Sequence, residues 1–257
     1  MDLGLKGKVA VITGGSEGIG KAAAVKLASE GAKVAICARR KELLDKVAAE
    51  ISKAGGDVLA VVADVSKAAD IERFIKAVIE RWGRIDILLN NAGTSMHGKF
   101  LEVSDETWDA DLQLKLFGAI RCSRLAIPYM QKQGGGRIIN VTTTNGKQPR
   151  GASAPTSVSR AAGMALTKVL SKEFAGDNIL VNTICIAKIK SAQHVRSSAR
   201  EGISVEEFYT REGKLIPMKR VGEAEEVADA IAFLASNAAS YITGTSINLD
   251  GGSSGVL

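Results

Sequence analysis

The stretch KVAVITGGSEGIG, Lys8–Gly20, decides the fold. Its first half is a short apolar run typical of a buried strand, and its second half is a glycine-rich turn that leads into a helix. Glycines at a strand–helix turn permit a tight bend and let a pyrophosphate approach the backbone, while the helix N-terminus offers amide donors and positive potential. The stretch therefore indicates a dinucleotide-binding turn, although an ordinary turn has the same composition.

Beyond this stretch, short apolar runs alternate with longer helical patterns along the chain. Such alternation predicts a Rossmann-like α/β fold, a doubly wound parallel sheet of about seven strands with helices on both faces. No repeat or linker divides residues 1–257, so one dinucleotide-binding domain is expected. The predicted strands are 8–13, 33–38, 57–62, 85–89, 137–142, 179–185 and 245–249, and the predicted helices are 18–30, 41–53, 67–82, 105–132, 156–175 and 223–236.

The segment 188–220 has no regular pattern and follows a strand. Ligands of such sheets bind at the carboxyl ends of the strands, so this segment is a candidate substrate lid. Its basic residues weakly suggest an acidic or thioester-phosphate substrate, although solvation of a loop explains them equally well; they are Lys188, Lys190, His194, Arg196 and Arg200.

Composition excludes several classes of function. The 257 residues carry a net charge of +6 in scattered positions and are only 4% aromatic, which argues against nucleic-acid binding. The two histidines cannot form a zinc cluster with any local spacing, and the distant, odd-numbered Cys37, Cys122 and Cys185 offer neither a disulfide framework nor a metal site. No signal-peptide core or membrane-spanning run is present, so a cytoplasmic protein is expected.

Further motifs carry a family resemblance. TGxxxGxG is matched at Thr13–Gly20, an Asp-Val pair at Asp64-Val65, NNAG at Asn90–Gly93, and the C-terminal YITGTSINLDGG through Gly252. Over essentially its whole length, the chain resembles the short-chain dehydrogenases/reductases. The resemblance implies a nicotinamide cofactor held by Gly14, Ser16, Gly18, Ile19 and Gly20 at the pyrophosphate, by Asp64 and Val65 at the adenine, and by Asn91, Ala92 and Gly93 at the adenosine and central ribose; Ser191 stands where the family often has Thr.

The end of the second strand predicts which cofactor binds. An acidic residue there suits a ribose 2′-hydroxyl, whereas a neutral residue beside an Arg suits a 2′-phosphate. The sequence is Ala38-Arg39-Arg40, and the Arg39 guanidinium can form a fork to phosphate, which favours NADP(H) over NAD(H). Glu17 argues the other way, because its carboxylate would repel that phosphate.

The catalytic positions depart from the family, which employs an Asn, a Ser, and a Tyr followed four residues later by a Lys. The Ser position falls on Thr143, the Tyr position on Thr156, the Lys position on Arg160 and the Asn position on Lys115. The Pro-Gly pair that usually shapes the nicotinamide pocket is Ile186-Ala187.

These replacements keep hydrogen-bonding capacity but change the acid. Thr156 is shorter and far less acidic than a tyrosine. Thr143 still donates to an oxyanion, and Arg160 still holds ribose hydroxyls without relaying protons. The charge of Arg160 and partial burial are expected to lower the pKa of Lys115, which makes Lys115 a candidate general acid/base or amine nucleophile. A decayed site with Lys115 as a mere polar residue remains the alternative.

Three hypotheses of function stay open. The first is an NADP(H)-dependent oxidoreductase that uses Lys115 and acts on a small molecule. The second is a non-redox lyase acting on a β-hydroxy carbonyl compound, and the third is a non-catalytic nucleotide-binding protein. His97 and His194 border the predicted site in sequence, and surface positions are the simpler interpretation of both. The resemblance also implies a homotetramer or homodimer built on the helices 105–132 and 156–175.

Overall fold

The computed structural model describes residues 2–256, and its centre is a seven-stranded parallel sheet. β1 (Val9–Thr13) is fully buried, as its apolar run predicts for a strand covered on both faces. The other strands are β2 (Lys33–Ala38), β3 (Val58–Val62), β4 (Ile87–Asn90), β6 (Gly136–Thr143), β8 (Ile179–Ile186) and β9 (Ser246–Leu249), in the order β3-β2-β1-β4-β6-β8-β9. The sequence-based prediction of this fold is confirmed.

Helices cover both faces of the sheet and enclose two hydrophobic cores. They are α1 (Gly18–Ser29), α2 (Lys41–Lys53), α3 (Ala68–Trp82), α4 (Asp105–Leu112), α5 (Gly118–Lys132), α6 (Thr156–Phe174), α7 (Ala192–Glu201), α8 (Val205–Lys214) and α9 (Ala224–Ala235). Strand order reverses between β1 and β4, which opens a crevice at the carboxyl ends of these strands. None of the helices formed by residues 2–256 combines the length and hydrophobicity needed to cross a bilayer.

The single helix predicted over 105–132 is interrupted. A π-helical turn, Gln113–Phe117, joins α4 to α5, and the Gly118 amide donates to the Gln113 carbonyl five residues back. A Cβ at Gly118 would lie 3.2 Å from the Val65 carbonyl oxygen. The start of α5 therefore passes close to the loop that follows β3. Such turns widen a helix locally, and this one contains the buried Lys115.

Two further features differ from the predictions. The segment 188–220, predicted to be irregular, contains α7 and α8; each spans only ten residues of mostly polar sequence, too short for a clear helical period. A two-stranded antiparallel ribbon also forms between β5 (His97–Gly98) and β7 (Ala154–Pro155), which lie far apart in sequence. Of the predicted domain 1–257, Met1 and Leu257 lie outside the described residues.

Candidate functional site

A cleft of about 390 Å³ opens at the carboxyl ends of the strands. It is lined by twelve of the thirteen residues predicted to bind the cofactor, namely Gly14, Ser16, Gly18, Ile19, Arg39, Asp64, Val65, Asn91, Ala92, Gly93, Arg160 and Ser191. The remaining one, Gly20, does not line the cleft. A Cβ at this position would collide with the Gly14 carbonyl oxygen. Gly20 therefore allows close packing of α1 on the turn.

The glycine-rich turn has the geometry of an anion cradle. Gly14 and Gly18 adopt left-handed backbone conformations with φ of 70° and 52°. The Asn91 side-chain amide fixes the turn by donating to the carbonyls of Thr13 (3.0 Å) and Gly14 (3.2 Å). α1 begins at Gly18 and has no side-chain cap, so its first amides are free to bind an anion. The residues present thus fit the pyrophosphate of a dinucleotide.

Three charged side chains meet at the end of β2. The carboxylate of Glu17 accepts a hydrogen bond from the Arg40 guanidinium, so its charge is already paired. Arg39 lines the cleft and makes no hydrogen bond or ion pair within residues 2–256. Glu17 is thus paired with Arg40, whereas Arg39 has no hydrogen-bond or ion-pair partner in the described chain.

Lys115 belongs to a buried network behind the cleft. Its ammonium contacts the carboxylate of Asp111 and donates to Thr156 Oγ1 over 2.7 Å. The side chains of Lys115 and Asp111 are 1% and 0% exposed. Asp111 escaped the sequence analysis, although its i,i+4 spacing from Lys115 on one helical segment was the signal that points to it.

The Thr156 hydroxyl is fully engaged. It donates to the Met96 carbonyl (2.7 Å) and accepts from the Met96 amide (2.9 Å) as well as from Lys115. One donation and two acceptances use the whole capacity of a hydroxyl. Thr156 therefore anchors the Lys115 ammonium and Met96, the residue before β5. Its hydroxyl proton goes to the Met96 carbonyl and is not available to a ligand.

Arg160 sets the electrostatics of the site. Its guanidinium donates to the Val141 carbonyl (2.7 Å) and approaches Gly93, where a Cβ would lie 2.5 Å from Nη2. Burial lowers the pKa of Arg160 to about 10, so it remains charged at neutral pH. Burial and this neighbouring charge lower the pKa of Lys115 to about 8, against the opposing effect of Asp111.

Three of the four predicted catalytic residues line two neighbouring spaces, and Thr156 lines neither. Thr143 and Arg160 line the cleft, and Thr143 Oγ1 is buried without a hydrogen-bond partner in the described chain. Lys115 and Arg160 line a separate inner cavity of about 20 Å³, enough for one water molecule. Asn90 also borders this cavity, and its Oδ1 has no partner among residues 2–256. Arg160 thus stands between the inner cavity and the cleft.

The two histidines have different positions. His97 is exposed on β5 and does not line the cleft. His194 does line it, and its ring packs against Phe208 and Tyr209 with centroids 5.5 Å and 5.9 Å away. Burial and the charge of Lys188 lower the pKa of His194, so its imidazole is neutral at neutral pH.

Comparison with known proteins gives consistent matches. A family model described as enoyl-(acyl carrier protein) reductase matches residues 14–254. An uncharacterised oxidoreductase of Thermotoga maritima is 38% identical over 99% of this chain and 100% of its own length, and a 3-oxoacyl-[acyl-carrier-protein] reductase of Synechocystis is 37% identical over 96% and 97%. The structure of L-sorbose reductase from Gluconobacter frateurii, complexed with NADPH and L-sorbose, has a TM-score of 0.96 at 34% identity and full coverage of both chains.

Proposed function

The chain belongs to the short-chain dehydrogenase/reductase family, whose members matched here are oxidoreductases, and on this premise we propose that it is an NADP(H)-dependent oxidoreductase interconverting a carbonyl and an alcohol. We assign the proton-carrying role to Lys115. The observation that carries this assignment is the buried Lys115 ammonium, held by Asp111 and Thr156 beside the charged Arg160.

NADP(H) is favoured because Arg39 offers an uncommitted guanidinium to the 2′-phosphate. The turn at Gly14–Gly20 would hold the pyrophosphate, and Arg160 would hold ribose hydroxyls. The bound nicotinamide would supply the hydride in reduction and accept it in oxidation. A solved neighbour bound to NADPH supports this choice of cofactor.

The chain's own residues then handle the substrate oxygen. The Thr143 hydroxyl, unpartnered within the described chain, donates to the carbonyl oxygen as negative charge develops there. Lys115 supplies the proton that the substrate oxygen takes up on reduction. A water in the inner cavity would carry this proton, because the Thr156 hydroxyl donates to the Met96 carbonyl instead. The charge of Arg160 favours this release, and the amine regains its proton from solvent after turnover.

The substrate is a small carbonyl compound. The names of the relatives refer to a ketose and to 3-oxoacyl groups, and both carry the ketone that this chemistry needs. We also propose a homotetramer or homodimer formed by α5 and α6, which expose Tyr129, Val158 and Val169. A cytoplasmic location agrees with the three buried, unpaired thiols.

A paired substitution tests the role of Lys115. Lys115→Met alone would leave the buried Asp111 carboxylate without a counter-ion, which lowers the free energy of unfolding by about 3–5 kcal/mol. Asp111→Asn is therefore combined with it. Oxidation of NADPH by a panel of ketones and aldehydes should fall at least about 100-fold in kcat/KM in this double variant. The NADPH dissociation constant should stay within about threefold of wild type.

Lys132→Met, at the exposed end of α5, serves as the matched control and should leave turnover unchanged. Near-wild-type turnover in the double variant would exclude Lys115 from proton transfer. Product formation without net change in the nicotinamide would instead indicate a lyase.

A further inference from the structure

Several cations of segment 188–220 form ion pairs with carboxylates. Lys188 pairs with Glu212 over 2.8 Å, and Lys190 pairs with Glu223 over 2.5 Å. Arg211 pairs with Glu201 and so ties α8 to α7. Arg196 on α7 differs from these three, because it lines the cleft and makes no hydrogen bond or ion pair within residues 2–256.

Three guanidiniums line the cleft without a hydrogen-bonded carboxylate: Arg39, Arg160 and Arg196. Under the proposed function, Arg39 binds the 2′-phosphate and Arg160 the ribose hydroxyls. The pyrophosphate lies at the turn that begins with Gly14 and at the N-terminus of α1. No anionic group of the cofactor is then left for Arg196.

His194 stands two residues before Arg196 on the same helix and also lines the cleft. Its ring packs against the rings of Phe208 and Tyr209. Its Nδ1 is buried and has no hydrogen-bond partner in the described chain. An unpaired buried nitrogen is costly, and an oxygen of a bound ligand would satisfy it after a small rotation of the ring.

From these observations we propose that Arg196 and His194 form a subsite for a carboxylate of the substrate, which makes the substrate an oxo acid in reduction and a hydroxy acid in oxidation. The guanidinium fork binds the two carboxylate oxygens, and the imidazole adds a third hydrogen bond. Thr143, the proposed donor to the reacting carbonyl, lines the same cleft. This inference rests on the proposed oxidoreductase function.

The experiment compares acids with their uncharged analogues. A panel of 2-oxo and 3-oxo acids is assayed beside the matching methyl esters, with NADPH as reductant, in wild type and in Arg196→Gln. Wild type should prefer an acid over its ester by about tenfold or more in kcat/KM. Arg196→Gln should abolish this preference through a higher KM for the acid, and the NADPH dissociation constant should not change.

Arg200→Gln is the matched control, because Arg200 is exposed on the same helix and does not line the cleft. Calorimetric titration of the preferred acid into the NADP⁺-loaded protein gives a readout that needs no turnover. If Arg196→Gln lowers the affinity for the acid about tenfold, the subsite is supported. If that happens while no acid is reduced, the proposed oxidoreductase function fails and the subsite stands.

Two results would overturn the subsite. One is equal use of acids and esters by wild type, which leaves the oxidoreductase function intact. The other is a loss of NADPH affinity in Arg196→Gln with unchanged acid binding, which would assign Arg196 to the cofactor.

Discussion

At the scale of single residues, Asp111 and Thr156 hold the buried Lys115 ammonium. Burial and the charge of Arg160 lower the pKa of Lys115 to about 8, in the direction that the sequence predicts. That Lys115, Thr143, Thr156 and Arg160 stand in the place of the family's catalytic residues stays a prediction. The full set of hydrogen bonds at the Thr156 hydroxyl was not predictable, because two of them involve Met96, sixty residues away in the chain.

Arg39 gives the first prediction at this scale. Arg39→Gln should raise the NADPH dissociation constant about 10–100-fold by removing a charge-assisted contact to the 2′-phosphate. The NADH dissociation constant should change by less than about threefold, because that cofactor has no phosphate there. Calorimetric titrations with both cofactors measure the difference. Lys41→Gln, a neighbouring exposed cation paired with Asp45, is the control, and equal losses for both cofactors would refute the assignment.

At the scale of elements, Thr156 at the start of α6 bonds to Met96, the residue before β5. Thr156→Val removes the acceptor of the part-buried Met96 amide and of the buried Lys115 ammonium. We expect the free energy of unfolding to fall by about 1–3 kcal/mol, measured by urea denaturation. Thr156→Ser keeps the hydroxyl and should lose less than about 1 kcal/mol. A valine variant as stable as wild type would show that the hydroxyl network contributes nothing to stability.

The elements that the sequence failed to predict share a physical cause. α7 and α8 are short and mostly polar, and they pack through a few side chains such as the buried Phe208 and the His194 ring, so neither helix leaves a long apolar period in the sequence. The π-helical turn at Gln113–Phe117 lies within an otherwise helical pattern and leaves no periodic signal of its own. Fully buried strands such as β1 were predictable despite their shortness, because burial on both faces requires a continuous apolar run.

At the scale of the whole molecule, the parallel sheet brings remote motifs to one edge. The carboxyl ends of β1, β2 and β4 place the glycine-rich turn, Arg39 and Asn91 around one cleft, as strand order predicts. The inner cavity beside the cleft was not predictable from the sequence, since it depends on where the Arg160 side chain reaches from α6 to the Val141 carbonyl. The proposed role of Lys115 therefore requires proton exchange between this cavity and a substrate in the cleft.

The pH dependence of NADPH-driven reduction tests this most directly. Reduction needs the ammonium form of Lys115, which is present below its pKa of about 8 and lost above it. We predict that kcat/KM falls about tenfold per pH unit above roughly pH 8, and that the Asp111→Asn/Lys115→Met variant loses this break together with most of its activity. A wild-type profile that stays flat through about pH 9.5, or that breaks only below the ordinary histidine pKa of about 6.5, would contradict the role of Lys115.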